Sequence, residues 1–375
     1  MKIIHTSDIH IGAKFAWMGE GSSKHRNSIK SSLERIVDLA INEAVSFIIF
    51  AGDIFDTSYP SDISINFFRD QLYRLSDNEI KSLIIPGNHD LLEESSVWTN
   101  EVWKSDKNIF VFKDNTPKFF AESKVWIYPS VIKSKKSKVS PLAPIVSEIN
   151  KNAIENDPNF HIVIAHGSLN LFGISDNFPI SKDEIEKTKA DYIALGDWHS
   201  TLDIGTNVKA YYSGSPDFIN YSEKGSGNVL LIEFENSDYK KIVKVKIVPI
   251  NSREFISLKL DLDIFDTAEK VSAKIKTYTN KEKSNVITIS FVGVSKNGIN
   301  LEEVIEQIRN EFYVIKYTVK EEPYTSMNFD FEHLFEEGTI SSEFIKLLQQ
   351  DIENNPDNMD LARALNLGIK LLKGN

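Results

Sequence analysis

The chain has 375 residues, more than the roughly 100–200 usual for one domain, so its length predicts two or three structural units. Its hydrophobic share of 41% and charged share of 26% are ordinary for a soluble globular protein, and the absence of cysteine excludes disulfides and thiolate metal sites. The formal net charge of −11 argues against a surface that binds nucleic acid by bulk electrostatics.

The N-terminal residues Met1 to His5 lead directly into a predicted strand, without a charged and apolar leader. No apolar run approaches the length of about 20 residues that a membrane-spanning helix needs. Together with the lack of cysteine, this pattern favours a cytoplasmic protein that does not associate with membranes.

Over the first 250 residues or so, short apolar runs bounded by Gly, Pro or Asp alternate with helical patterns, which is typical of an α/β domain. Buried strands are predicted at 3–4, 47–50, 83–85, 162–164 and 192–195. Apolar residues spaced by three and four predict amphipathic helices at 24–44 and 61–76. Further strands of mainly antiparallel character are predicted at 211–212, 229–234 and 242–250.

The following segment changes rhythm to strand, helix, strand, helix, strand over about 255–320, which predicts a small α+β module. An acidic and aromatic linker follows, and two short apolar stripes split by Asn354 to Asp357 predict a C-terminal pair of helices. The predicted domains are 1–252, 253–322, a linker at 323–338, and a helix–loop–helix segment at 339–375.

Polar motifs follow five of the predicted strands. They are Asp8-Ile9-His10, Gly52 to Asp56, Gly87 to Asp90, Ala165-His166-Gly167 and Gly196 to His199. Because loops beyond the carboxyl ends of strands converge on one crevice in α/β sheets, we expect these side chains to lie together. Mixed imidazole and carboxylate donors without sulfur suit Mn²⁺, Fe²⁺, Zn²⁺ or Mg²⁺, and so many donors favour two ions about 3.5–4 Å apart with a bridging carboxylate.

Each motif taken singly has a simpler explanation. An Asp-x-His after a strand is usually a turn or a cap, Asn88-His89-Asp90 alone is an ordinary turn, and His166 alone is a hydrogen-bonded histidine near the core. The metal site is favoured because five independent strand ends would each have to carry metal donors by accident.

The ordered set of motifs resembles the calcineurin-like metallophosphoesterases. The stretches Ser7 to Gly12, Gly52 to Thr57, Pro86 to Asp90 and Ser213 to Pro216 are similar to those of the SbcD-type DNA repair nucleases. The resemblance covers about residues 1–250 by motif, and reaches about 320 only by architecture. It implies an α/β fold that is a four-layer αββα sandwich with metals at one edge of the sheets, followed by a small α+β cap domain and a C-terminal helical pair.

Position by position, the resemblance implies a metal-ligand set and a catalytic pair. One ion would be bound by Asp8, His10 and His199, the other by Asn88 and His166, with Asp53 bridging them. His89 matches the family's catalytic histidine, and Asp90 beside it would orient it. The metals would activate water for attack on phosphorus, while His89 would stabilise the developing charge or protonate the leaving oxygen.

The last motif departs from the family pattern. The family usually carries Gly-His-x-His there, whereas this chain has Gly196-Asp197-Trp198-His199. We predict that Asp197 replaces the histidine on the second ion, and that its oxygen shifts the preference toward harder ions such as Mn²⁺ or Mg²⁺, with two Mn²⁺ as the expected cofactors. The alternative is that Asp197 only bonds a neighbouring residue and the second site is weak.

The resemblance also implies the function. It predicts a metal-dependent DNA phosphodiesterase with 3′-to-5′ exonuclease and single-strand endonuclease activity, which works in DNA repair or defence with an SbcC-type coiled-coil ATPase bound through the C-terminal helices. A homodimer is a further candidate assembly. Two alternatives are a phosphoesterase for a nucleotide or cyclic nucleotide with no ATPase partner, and a non-catalytic scaffold, which the intact His89 argues against.

Two other features have both a structural and a functional interpretation. The basic run of Lys133, Lys135, Lys136 and Lys138 is either a solvated loop or a local basic patch. The residues Lys14 to Trp17 and His25-Arg26 either pack a loop onto the domain or lie where a substrate strand passes.

Overall fold

The computed structural model describes residues 1–19, 21–152, 157–170, 177–221, 223–237, 240–251, 253–279, 284–293, 299–320 and 338–355, and single positions at 358, 361, 364, 365, 368, 369, 371 and 372. Contacts divide the chain into two units, Met1–Phe255 and Ile256–Asn375. The finer division at 252, 322 and 338 stays a prediction, and the predicted linker lies almost wholly outside the described residues.

Two sheets form the centre of the first unit. Its strands are β1 Lys2–Thr6, β2 Phe47–Ala51, β3 Lys81–Ile85, β4 Ile109–Val111, β5 Lys118–Phe120, β6 Val125–Pro129, β7 Phe160–His166, β8 Tyr192–Gly196, β9 Leu202–Asp203, β10 Lys209–Tyr212, β11 Asn228–Ser237 and β12 Lys240–Pro249. The first sheet has the order β12-β11-β1-β2-β3-β4 and the second β5-β6-β7-β8-β10-β9. Within them, β1 to β4 run parallel, as do β6, β7, β8 and β10, and the remaining pairings are antiparallel.

Four helices cover the outer faces of these sheets. They are α1 Gly21–Asn42, α2 Asp62–Asp77, α3 Ala143–Asn152 and α4 Lys182–Thr188. Apolar side chains of α1 and α2 share a core with Ile4 and Ile48 of the first sheet, and those of α3 and α4 share one with Val163 of the second. A third core lies between the sheets and includes Ile3 and Ile162. The predicted αββα sandwich is therefore confirmed.

Alternation along β1 explains why the layers form. Ile3 belongs to the core between the sheets, whereas the next residue, Ile4, belongs to the core under the helices. Because successive side chains of a strand point to opposite faces, a strand covered on both sides is apolar throughout. The strands β4, β5, β6 and β9 and the helices α3 and α4 were not predicted. Of these, β4, β5 and β9 have only two or three residues, which is too short to show a period.

The second unit contains a three-stranded sheet and two helices. Its elements are β13 Arg253–Asp261, α5 Ala268–Lys276, β14 Ser284–Val292, α6 Leu301–Ile308 and β15 Val314–Lys320, with the strand order β13-β14-β15. Val271 of α5 and Val304 of α6 are fully buried in its core. This is the small α+β module expected from the sequence.

The C-terminal helix α7 covers Ile340–Asn354 and begins at Thr339, whose side chain accepts the N–H of Ser342. The second predicted helical stripe is helical at the positions of 361–372 that the structure describes. Ile345 of α7 packs with Leu365 and Ile369 of that stripe. Within the described part of the chain, no helix is long and apolar enough to cross a membrane.

Candidate metal centre

The predicted ligands follow strands of both sheets at one edge of the sandwich. Asp8 and His10 follow β1, Asp53 follows β2 and Asn88 follows β3, while His166 ends β7 and Asp197 and His199 follow β8. The first two loops are joined by backbone hydrogen bonds, from the N–H of Asp8 to the Gly52 carbonyl at 3.0 Å and from the N–H of His10 to the Asp53 carbonyl at 3.1 Å. The structure therefore brings this predicted set together.

Four of these residues have a left-handed backbone conformation. The φ angles are 53° at Asp8, His10 and Asp53, and 96° at Asp197. Such conformations cost of order 1–3 kcal/mol each in a residue other than glycine, and they persist where the surroundings enforce them, which is often at functional sites. The four turns aim donor side chains inward at an energetic cost.

The first ligand group consists of Asp8, His10 and His199, whose donor atoms lie within 4.8 Å of one another. Nδ1 of His10 lies 3.2 Å from Oδ1 of Asp56, and Nδ1 of His199 lies 2.7 Å from Oε1 of Glu223. When a carboxylate accepts one ring N–H, the other nitrogen stays free to bind a metal. Nε2 of His10 is buried without a hydrogen-bond partner among the described residues, as expected of a ligand atom.

The second ligand group contains Asp8, Asp53 and His166, again with donor atoms within 4.8 Å. Nδ1 of His166 donates to the Ala51 carbonyl at 2.9 Å, which directs Nε2 toward Oδ1 of Asn88 at 2.8 Å and Oδ2 of Asp53 at 3.5 Å. The same Oδ2 lies 3.8 Å from Nε2 of His10. The Asp53 carboxylate thus lies between imidazoles of the two groups.

Serines of two loops hold Asp8 in place. Ser7 Oγ donates to Oδ2 of Asp8 at 2.5 Å and is 2.8 Å from Ser213 Oγ, and Ser215 Oγ lies 2.6 Å from the Asp8 carbonyl oxygen. The N–H of Asp197 donates to both carboxylate oxygens of Asp8, at 3.0 and 3.2 Å. The stretch Ser213 to Pro216 therefore supports the first ligand.

Asp197 lies beside the centre but outside the groups that could bind a metal ion among the described residues. Its Oδ1 is 3.8 Å from Nε2 of His166 and accepts from Asn177 Nδ2 at 3.2 Å, and its Oδ2 accepts from Ser168 Oγ. The Asp197 carboxylate thus lies near the predicted ligand His166, but it is also hydrogen-bonded to Asn177 and Ser168. Its role as a metal ligand therefore stays a prediction.

His89 is the exposed member of the constellation, with 46% of its side chain accessible. Its ring centroid lies 4.7 Å from that of His10, and its backbone N–H donates to Oδ1 of Asp53 at 2.9 Å. His10, Asp53 and His89 also form a group with donor atoms within 4.8 Å. A side chain that is exposed and next to the ligands is suited to meet a substrate.

The structure does not bring Asp90 against His89. The buried Asp90 carboxylate accepts the backbone N–H groups of Gly87 at 2.7 Å, Ile54 at 2.9 Å and Phe55 at 3.1 Å, which ties two ligand loops together. Burial and the nearby Asp53 raise the pKa of Asp90 to about 7. A carboxylate saturated by backbone donors is not free to orient a histidine.

Asp56 has the position that was expected of Asp90. Its Oδ1 lies 3.7 Å from Nδ1 of His89 as well as 3.2 Å from Nδ1 of His10. Asp56 belongs to the motif Gly52 to Asp56, but the motif alone assigned it no role. Glu223, which binds His199, was missed entirely, because it lies in a loop that carries no motif.

Opposing electrostatic effects act on the buried donors. Burial raises the pKa of Asp8. Burial alone would lower the pKa of His199, but Glu223 and Asp8 raise it to about 9, and Asp53 and Asp8 likewise raise the pKa of His166 well above its ordinary value. The carboxylates around these rings thus favour positive charge at the centre, which is the charge that a divalent cation would supply when bound. The donor set therefore fits a metal centre in two respects, its charge and the unpartnered Nε2 of His10.

Residues 1–201 match the family model of the calcineurin-like phosphoesterases. The chain belongs to this family. It is accordingly a metal-dependent phosphoesterase, and the predicted enzyme class is confirmed.

Several relatives resemble this phosphoesterase at low identity. The uncharacterized metallophosphoesterase YhaO of Bacillus subtilis is 27% identical over 249 residues, which are 64% of this chain and 58% of YhaO. The DNA double-strand break repair protein Mre11 of Sulfurisphaera tokodaii is 24% identical over 321 residues, 82% of this chain and 78% of that protein. Mre11 of Thermoplasma acidophilum is 22% identical over 317 residues, 81% and 79% of the two chains.

Among solved structures, GAP50 of the Plasmodium inner membrane complex aligns with a TM-score of 0.43 and 12% identity, over 84% of this chain and 96% of that chain. So distant an alignment carries no argument about function.

Proposed function

We propose that this phosphoesterase is a two-metal DNA phosphodiesterase of the SbcD type, with 3′-to-5′ exonuclease and single-strand endonuclease activity in DNA repair or defence. The observation that carries the proposal is the convergence of the ligand loops of two sheets on one strand edge, beside the accessible His89. Similarity to DNA double-strand break repair proteins supports DNA as the substrate, since the match extends over 82% of the chain and thus beyond the first unit.

A basic loop near the centre supports a DNA substrate in spite of the net charge of −11. Lys133, Lys135 and Lys136 are exposed in the loop after β6, which is parallel to β7 and ends at the same edge as His166. The loop is anchored by Ile132, which packs against Leu91 beside the His89 loop. Lysines held there offer positive charge to a phosphate backbone.

In the proposed centre, Asp8, His10 and His199 bind one ion, Asn88 and His166 bind the other, and Asp53 bridges them. Asp197 completes the second site, with Mn²⁺ as the expected metal because of its oxygen donor. When bound, two such ions provide a water nucleophile at neutral pH and stabilise charge on the phosphate.

Metal counting on Asp197→Ala tests this assignment, with Trp198→Phe in the same loop as the matched control. We expect two Mn²⁺ per chain in the wild type and in the control, and one in the alanine variant. Undiminished occupancy of two ions in Asp197→Ala would overturn the assignment of Asp197 as a ligand.

His89 is the proposed catalytic acid. Its backbone N–H is bonded to Asp53, and its Nδ1 faces Asp56, which leaves Nε2 free to stabilise or protonate the leaving oxygen. We assign the orienting role to Asp56, and assign Asp90 to holding the ligand loops. Asp56→Asn should then lower kcat, whereas Asp90→Asn should mainly lower stability and metal affinity.

One experiment separates DNA cleavage from the alternative, a phosphoesterase for a small nucleotide or cyclic nucleotide. Mn²⁺-dependent activity is measured on end-labelled linear duplex DNA, on circular single-stranded DNA and on bis(p-nitrophenyl) phosphate, with His89→Ala as the control. We expect cleavage of both DNA substrates, with loss in the variant. Cleavage of the ester but never of DNA would overturn the proposal.

The C-terminal helices are the proposed binding segment for an SbcC-like coiled-coil ATPase. Ile345 of α7 is buried against the second stripe, but Leu347 is 61% exposed and Leu371 is 69% exposed. Exposed large apolar side chains on paired helices are typical of a surface that a partner covers. Deletion of 339–375 should abolish co-purification with the ATPase, and retention of the partner would refute the idea.

A further inference from the structure

A cavity of about 260 Å³ lies directly beside the proposed metal centre. Its walls come from the loop after β1, from the first half of α1 and from the start of α2. The lining residues that matter here are His10, Gly12, Arg26, Asn27, Lys30 and Ser61. Because His10 forms one wall, whatever occupies the cavity lies next to the reacting phosphate.

Two cations on one helix face line this cavity. Arg26 and Lys30 are four residues apart on α1, a spacing at which like charges repel and destabilise a helix. Arg26 donates to the Lys14 carbonyl at 3.1 Å, and the Lys30 ammonium lies 5.2 Å from the Phe67 ring centroid. Among the described residues neither side chain has a carboxylate within ion-pair distance, so both charges remain available to a ligand.

The lining selects the class of ligand. Two cations without a carboxylate at ion-pair distance disfavour a metal ion and favour an anion. A volume of 260 Å³ lies just below the range of about 300–1,000 Å³ typical of small-molecule sites, which is the scale of a single nucleotide unit.

We propose that the cavity binds the phosphate and sugar of the nucleotide next to the scissile linkage of a polynucleotide strand. This inference rests on the proposed function and deepens it, since it explains how a chain with a net charge of −11 distinguishes a nucleic acid from a simple phosphodiester. Arg26 and Lys30 neutralise the neighbouring phosphate, and the shared wall at His10 sets its distance from the cleaved bond.

The test compares two substrates across variants of α1. Arg26→Gln and the double variant Arg26→Gln/Lys30→Gln are assayed with Mn²⁺ on a single-stranded oligonucleotide and on bis(p-nitrophenyl) phosphate. We expect the ratio of kcat/KM for the oligonucleotide to kcat/KM for the ester to fall roughly tenfold in the single and a hundredfold in the double variant, mainly through KM. In the double variant, which no longer neutralises this phosphate, the slope of log KM against log salt should also fall by about 0.7.

Arg35→Gln is the matched control, because it removes the same charge from the same helix at a residue that bonds Ser32 and does not line the cavity. Its ratio should stay within twofold of the wild type. If the wild type cleaves the oligonucleotide and the Arg26 variants have the same kcat/KM ratio as Arg35→Gln, this inference alone is overturned. A wild type that cleaves only the ester would overturn the proposed function, and this inference with it.

The single variant guards against a folding artefact, since Arg26 is exposed and its loss leaves the core intact. Thermal unfolding of each variant is measured alongside the kinetics. A lower ratio without a lower Tm supports the cavity as a nucleotide site, and an unchanged ratio in a folded Arg26→Gln refutes it.

Discussion

His5 joins the two sheets at the centre of the sandwich and should make the first unit sensitive to acid. It lies on β1 and is fully buried, and its partners belong to β8 of the other sheet. Nε2 lies 3.2 Å from the Leu195 carbonyl, which only accepts, so Nε2 carries the proton and Nδ1 accepts from the Tyr192 hydroxyl at 2.9 Å. The neutral ring is therefore bonded at both nitrogens.

Burial lowers the pKa of His5 to about 3, from an ordinary value of 6.5. As the pH falls below 6.5, the unfolded chain takes up a proton that the folded chain refuses, so stability present above pH 6.5 is lost toward pH 3. At about 1.36 kcal/mol per pKa unit, the loss between pH 7.5 and pH 5 is about 2 kcal/mol, and the limit, reached below pH 3, is about 5 kcal/mol.

The substitution His5→Gln removes the titrating group. In urea unfolding with a chelator present, the wild type should lose about 2 kcal/mol more than the variant between pH 7.5 and pH 5, because the other titrating groups are common to both. Tyr192→Phe is the control: it deletes one hydrogen bond but keeps the imidazole, so it should be less stable at both pH values with the wild-type pH dependence. An equal pH dependence in His5→Gln and wild type would refute the reasoning.

Further predictions concern the metal centre. Glu223→Gln weakens the support of His199, so calorimetric titration should show a roughly 10–100-fold loss of Mn²⁺ affinity, and an unchanged Kd would contradict the role assigned to Glu223. A Cβ on Gly87 would lie 2.1 Å from Oδ1 of Asp53, so Gly87→Ala should cost about 1–3 kcal/mol and most of the activity. Gly21→Ala is the control: its Cβ makes only ordinary contacts, so neither the stability nor the activity should fall. Mn²⁺ at a hundredfold excess over its Kd should stabilise the first unit by about 2.7 kcal/mol for each bound ion, and chelator should reverse this; a Tm independent of Mn²⁺ would count against a metal site.

The sequence by itself determined the sandwich and the location of the centre. Runs such as Phe47 to Phe50 are apolar on both faces, which requires a layer on each side, and the helix at 24–44 has one apolar stripe to provide one of them. Since parallel strands of one sheet end at one edge, the donors after 3–4, 47–50 and 83–85 had to converge, and so had those after 162–164 and 192–195, although these segments are far apart in sequence. The packing of the two sheets then brings the two sets of donors together. These properties depend on local pattern and on the direction of the strands.

Only the tertiary structure decided which partner each donor has. Glu223 reaches His199 from a loop with no motif of its own, and Asp56 rather than the adjacent Asp90 faces His89, because Asp90 is turned inward to three backbone N–H groups. The cavity between α1 and α2 likewise exists only once both helices are packed on the sheet. Hydrogen bonds and cavities are set by side-chain directions and by distances between remote segments, and neither quantity is encoded in a local pattern of residue types.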